Sequence, residues 1–173
     1  MDTYYKSFKY RIYPSSMQAS FFEKTFRACI FTYNKLLEVH EDEKRKTPAS
    51  LKDEFPFLKQ VDSVALCYKA LALEQAFRNH KRGLAGPPQT QKYSGTKSYS
   101  TIVKDIRNNG IRLPKVGWVK TRFKKQRPIE GRIKKVTISL TPAGEYYASV
   151  LCEIEKKKRM THPTKNPKKT PSE

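Results

Sequence analysis

The side chains of this sequence best equipped to act on a partner are cations. From Lys120 to Lys135 there are eight Lys or Arg and a single acid, Glu130. From Lys156 to Glu173 there are seven bases and one acid. Ammonium and guanidinium groups at this density neutralise phosphates and release their counterions. The carboxylates are arranged differently. Asp42, Asp53, Asp62, Asp105 and the glutamates are scattered, and none lies in an apolar strand flanked by glycine. Metal-assisted phosphodiester cleavage needs several carboxylates converging on ions about 4 Å apart, and no such set can be read. His40, His80 and His162 are far apart and lack ligand spacing. Cys29, Cys67 and Cys152 form no C-x-x-C pair. They read as reduced, mostly buried small residues rather than a disulfide framework or zinc site. No catalytic residue, metal site or cofactor is expected.

Charge bounds the partner. The 173 residues hold 36 Lys or Arg against 16 Asp or Glu, a formal net charge of +20. A compact chain with that balance repels itself unless a polyanion neutralises it, so nucleic acid is the leading partner. An anionic membrane is the competitor, but no run of about 18 apolar residues exists to span a bilayer. The start, Met1-Asp2-Thr3-Tyr4-Tyr5-Lys6, has no basic segment followed by an apolar run, and so does not read as a signal peptide. A cytoplasmic protein is expected. Ten Tyr and nine Phe are many for so polar a chain, and they serve as core or as stacking surface.

The elements that must position these residues follow from periodicity. Residues 4–13 alternate, with Tyr4, Lys6, Phe8, Tyr10 and Ile12 on one face and Tyr5, Ser7, Lys9, Arg11 and Tyr13 on the other. That is a strand with a greasy side and a basic side. Ser15 and Gln18 form a capping box that opens a helix running to about Glu41, with a stripe of Phe22, Phe26, Cys29, Ile30, Tyr33, Leu36 and Leu37. Thr47-Pro48 opens a short helix to about Phe55. Asp62 or Ser63 caps a third helix over roughly 63–82. Residues 83–98, with three Gly and two Pro, form a loop. Strands follow at about 99–104, 110–113, 116–123, 136–140 and 146–154. Trp118 is expected in the core beside Val116 and Val119. A lone first strand cannot be stable by itself, so it must pair with the later ones. The expected fold is α+β: a small antiparallel β-barrel of oligonucleotide-binding type, interrupted by a helical insertion of about three helices. The barrel would be discontinuous, from 1–14 and 97–155. The insertion would be 15–96, and 156–173 a basic disordered tail.

Several phrases, in this order and spacing, carry a resemblance. They are Tyr10-Arg11-Ile12-Tyr13-Pro14 with Gln18, Arg27-Ala28-Cys29, Tyr33-Asn34, Val61 to Leu66, Ile111-Arg112-Leu113-Pro114-Lys115-Val116-Gly117-Trp118-Val119-Lys120, Gly131 to Lys134, and Tyr146 to Glu155. Over about residues 5–155 the chain resembles the N-terminal part of TnpB, the OrfB-type insertion-sequence proteins similar to compact type V CRISPR effectors. The resemblance implies a wedge barrel split by a helical recognition lobe, the half that grips guide RNA and reads a short flanking DNA motif in a family of RNA-guided DNA nucleases. Its N-terminal segment has also been described as a transposase helix-turn-helix. By position, Ser63, Val64 and Cys67 at the start of the third helix, and Thr101, would face that DNA. Cys67 cannot make the bidentate base contact an amide makes. Where the family tends to have Pro-Arg-Phe, this chain has Pro88-Gln89-Thr90. In the family, a segment like Cys152-Glu153-Ile154-Glu155 leads into a RuvC nuclease domain whose carboxylates and zinc ribbon are not found here.

Nucleic-acid contacts are therefore expected from Arg11, Lys69, Arg78, Lys81, Tyr99, Thr101, Lys115, Lys120, Arg122, Lys124, Lys125, Lys134 and Lys135. Alternation puts Lys120 and Arg122 on one strand face, where oligonucleotide-binding barrels bind. Arg11 suits either an RNA contact or a strand-edge salt bridge. The expected function is binding of structured, guide-like RNA and of DNA without cutting, in the prokaryotic cytoplasm near the nucleoid. A full-length relative or a separately encoded nuclease half would be further partners. The competing expectations are an inert truncated transposase remnant and a repressor that competes with a full-length relative.

Overall fold

The computed structural model describes residues 2–40, 46–122 and 128–157. Its first element is the alternating segment, strand β1 (Thr3–Tyr13), in which Phe8, Tyr10 and Ile12 are buried. Pro14 cannot extend a ladder and the chain turns into helix α1 (Ser16–Glu38). The Ser15 Oγ accepts from the Gln18 amide at 3.3 Å while Gln18 Oε1 accepts from the Ser15 N–H at 3.0 Å. Gln18 works twice, because its Nε2 also donates to the Trp118 carbonyl at 2.7 Å and so ties the helix start to the sheet. Helix α2 (Pro48–Glu54) is capped by Thr47, and a 3-10 turn (Pro56–Gln60) follows. Helix α3 (Ser63–Lys81) starts at Asp62, whose Oδ1 accepts from the Val64 N–H at 2.9 Å.

Six further strands follow among the described residues: β2 (Lys97–Thr101), β3 (Asp105–Arg107), β4 (Gly110–Leu113), β5 (Gly117–Thr121), β6 (Arg132–Leu140) and β7 (Tyr146–Glu155). They form one antiparallel sheet with β1, in the order β2-β6-β7-β1-β5-β4-β3. The first strand does pair with the later ones. It meets β7 from Thr3↔Glu155 to Ile12↔Tyr146 and touches β5 at Ile12↔Thr121 and Tyr13↔Lys120.

The α+β architecture with three helices after the first strand is present, but the expected barrel does not close. Its ends, β2 and β3, are the two edges of an open sheet. Two features keep them apart. β3 is only three residues long, and α3 packs beside β2. Among the remaining expectations, β3 was not foreseen and β6 starts earlier than Val136. The basic tail from residue 158 lies outside the described residues.

One face of the sheet packs on α1. Phe22 and Phe26 meet Tyr99 with ring centroids 6.1 and 5.5 Å apart, and Phe22 meets Tyr146 at 5.8 Å. Val119, Ile111, Leu113, Val136, Ile138, Val150 and Cys152 complete this core. The helical layer is locked to the sheet by a polar contact as well. Buried Thr101 Oγ1 donates to Asp62 Oδ2. β6 bulges between Ile133 and Lys135, just after Gly131 at φ +82°. A Cβ on Gly131 would run into the Glu153 carbonyl, so only glycine lets β6 lie this close to β7.

Candidate nucleic-acid interface

Side chains directly opposite in an antiparallel pair share a face. The register therefore places Arg107, Lys120 and Tyr13 in one row across β3, β4, β5 and β1, through Arg107↔Gly110, Gly110↔Lys120 and Tyr13↔Lys120. The neighbouring pairs are Arg112↔Trp118 and Arg11↔Tyr147. All these project from the side opposite the core.

On that side, cations and rings alternate. The Arg107 guanidinium lies over Trp118 at 4.7 Å. Arg122 and Arg11 flank Tyr13, at 5.9 and 5.5 Å. Arg11 and Lys9 lie over Tyr147, at 5.5 and 4.5 Å. Three rings and four cations thus run from β3 to β7. Exposed cation–π pairs are worth only about 0.5–1 kcal/mol each, enough to hold long side chains over rings but not to withhold them from a stronger anion. Gly110 makes room for the arrangement: a Cβ there would stand 3.2 Å from the Trp118 ring, which lies across the glycine.

Trp118 corrects the sequence expectation. It is 37% exposed, while Val119 beside it is fully buried. Alternation along β5 groups Trp118 with Lys120, and that decides its side more strongly than its apolar neighbours.

Two carboxylates enter the row, and Asp105 lies 3.8 Å from Arg107. Glu145 accepts from Arg11 at 2.8 Å and from the Tyr147 hydroxyl at 2.8 Å. The Tyr147 hydrogen bond first, and Arg11 second, hold its carboxyl below the ordinary range. The same hydrogen bond pushes the Tyr147 phenol up. Arg11 therefore does form the salt bridge, and its side chain remains 37% exposed on the open face. At the β6 end, Lys134 pairs with Glu153 at 3.3 Å, and the Tyr5 hydroxyl donates to the same carboxylate at 3.1 Å. Those two contacts, Lys134 foremost, lower the Glu153 pKa.

Of the expected contact residues, the structure brings together Arg11, Lys120 and Arg122, with Lys134 further along the same sheet. It places the others elsewhere. Tyr99 is 2% exposed under Phe22 and Phe26, and Thr101 is fully buried on Asp62. Both belong to the core, and neither presents a group to a partner. Lys115, with φ +62°, spends its ammonium on the carbonyls of Lys59 and Val61 at 2.8 and 2.9 Å. Lys135 turns to the Tyr68 ring of α3 at 5.4 Å. Lys69 donates to Gln91 Oε1 at 3.4 Å, Arg78 pairs with Glu74 at 3.6 Å, and Lys81 is exposed in the last turn of α3. Ser63 Oγ accepts from Lys52 at 2.7 Å, Val64 is half-buried, and Cys67 is exposed. Lys124 and Lys125 lie outside the described residues. Lys9, Tyr13, Arg107, Trp118 and Tyr147 were not singled out as contacts. The signal for them was the basic face of the first strand and the Trp118–Lys120–Arg122 alternation.

The face can stack planar bases and hold phosphates. Among the described residues, no group of His, Cys, Asp or Glu could hold a metal ion, and no helix is long and apolar enough to cross a membrane.

Residues 1–46 match the helix-turn-helix domain of OrfB-type insertion-sequence proteins. The described part of that span is β1 and α1, and α2 begins just beyond it. The chain is 28% identical over 167 residues to InsQ of Escherichia coli (strain K12), named as an RNA-guided DNA endonuclease, with 87% of this chain and 41% of InsQ covered. A protein of Streptomyces pristinaespiralis, also named as an RNA-guided DNA endonuclease, is 30% identical over 166 residues, covering 86% of this chain and 41% of that protein. The chain thus spans about 41% of the length of these curated relatives, in their N-terminal part.

Proposed function

We propose that this chain, an OrfB/TnpB-type protein by its N-terminal domain and its relatives, is the half that grips structured, guide-like RNA and DNA, without a nuclease centre of its own. The observation that carries the reading is the row of Trp118, Tyr13 and Tyr147 interleaved with Arg107, Arg122, Arg11 and Lys9 on the open sheet face. Rings give every base a stacking partner whatever its sequence, and guanidinium groups meet phosphates in a bidentate way. The dispersal of the carboxylates supports binding without cutting. Asp53 faces Lys59 at 3.9 Å, Asp105 faces Arg107 at 3.8 Å, and Asp62 is taken by Thr101 and the α3 cap. Each is used by a different element.

Trp118 is the only tryptophan of the chain, so its emission reports on the face directly. Titration with a structured RNA and with duplex DNA is expected to quench that emission. For about six neutralised phosphates, log affinity for duplex should fall against log salt with a slope near −5. Unchanged emission together with a flat salt response would reject the proposal.

A further inference from the structure

A concave surface lies on the helical layer, away from the sheet face. A cleft of about 570 Å³ opens between α1, the 3-10 turn and the segment before β2. That is within the roughly 300–1,000 Å³ of ligand pockets. Its walls are apolar and aromatic: Ile30, Phe31, Val61 and Phe57, the last 46% exposed and edge-on to Phe31 at 5.1 Å. Its rim is cationic. Lys24 has no carboxylate partner among the described residues, and Arg27, paired with Glu23 at 3.0 Å, lies over the Tyr93 ring at 4.1 Å. The cleft is held open in advance. Asn34 on α1 donates to the Gln91 carbonyl at 3.0 Å and accepts from the Gln91 N–H at 2.7 Å, which fixes the segment bearing Tyr93. Gln60, at the lip, makes no side-chain hydrogen bond among the described residues, so its amide is available to a polar edge. A shallower trough shares Lys24 and Gln60 and continues along α1 past Phe21 and Met17.

We propose that this cleft takes one unstacked base of a single-stranded nucleic acid, with the adjoining phosphate on Lys24 and Arg27. The proposal rests on the nucleic-acid reading above. A base fits the chemistry on three counts: a flat apolar ring for the Phe31–Phe57 walls, a polar edge for the Gln60 amide, and a covalently attached anion for the rim. A purely apolar peptide would leave Lys24 and Gln60 unmatched.

The test uses the full chain with short single strands, RNA carrying 4-thiouridine and DNA carrying 5-iodouracil. After irradiation the crosslinked peptides are identified by mass spectrometry. Crosslinks to Phe31, Phe57 or Tyr93 are expected, and Phe57→Ala and Lys24→Glu should each lower affinity about tenfold. Lys24 is an exposed surface position, so its variant tests the site even if Phe57→Ala folds poorly. Crosslinks confined to Trp118, Tyr13 and Tyr147, with both variants binding as the parent does, overturn this site and leave the sheet-face proposal standing. No binding of either strand removes both. Concentration-dependent protection of the Ile30 and Phe57 amides in hydrogen exchange without any oligonucleotide would assign the cleft to a protein contact instead, and also overturns it.

Discussion

Glu145 is the residue on which the behaviour of the cation row turns. It occupies Arg11 and Tyr147 as an internal anion, in the place where a phosphate would compete. Exposed ion pairs are weak, so Glu145→Gln should tighten nucleic-acid binding by only about two- to fivefold, measured by anisotropy at low salt. Weaker binding would mean that the carboxylate positions Arg11 rather than masking it. Protonation should act in the same direction. The Glu145 carboxyl is depressed by the Tyr147 hydroxyl and then by Arg11. A depressed carboxyl contributes its pairing above the ordinary value, and loses it as pH falls through the lowered one. Carboxyl NMR should place its midpoint below the usual 4.5, and Tyr147→Phe should move it back up. A midpoint unmoved by Tyr147→Phe would contradict the hydrogen bond as the main cause.

At the scale of elements, Asp62 joins two layers with one side chain. It caps α3 through Val64 and receives the Thr101 hydroxyl from β2, Asp62 and Thr101 both being buried. Asp62→Ala removes the cap, at about 0.5–2 kcal/mol, and strands a buried hydroxyl, at about 1–3 kcal/mol. A loss of about 2–4 kcal/mol is expected in urea unfolding, with Asp62→Asn losing less because an amide oxygen still caps. Equal losses in both variants would deny the cap its share. Element starts of this kind were legible in the sequence: Ser15 with Gln18, Thr47-Pro48 and Asp62 or Ser63 each announced a helix by local chemistry, and the third cap is Asp62. The ladder around β1 was legible because a ten-residue strand needs partners. The open barrel was not, because closure depends on where two distant edges come to rest. Trp118 misled because its apolar neighbours argued for the core, whereas the two-residue period of a strand is what fixes a side. Tyr99 and Thr101 misled for a different reason. The position of Thr101 came from family resemblance, which does not show which way a strand faces, and the alternation of β2 puts Tyr99 on the same buried side.

At the scale of the whole molecule, the charge of +20 has no internal counterpart. The ion pairs of the described residues are mostly exposed, and half of them join neighbours within one element, as in Arg27–Glu23 and Arg78–Glu74. Self-repulsion is therefore left to the solvent, where charges within about 10 Å of one another are felt at 0.1 M salt. Two conditions should relieve it in distinguishable ways. Salt screens the repulsion and raises Tm modestly in the free protein. A bound oligonucleotide stabilises by mass action, about 2.7 kcal/mol at a hundred times its Kd, or a rise of about 5–11 °C for a chain of this size. The two reliefs are antagonistic, because salt also removes the counterion-release drive. With a slope near −5, tenfold more salt costs about five decades of affinity. Differential scanning fluorimetry with and without oligonucleotide should therefore show a large ligand shift at about 0.05 M salt that vanishes at about 0.5 M. A shift that persists at high salt would mean that apolar burial, not phosphate neutralisation, holds the partner.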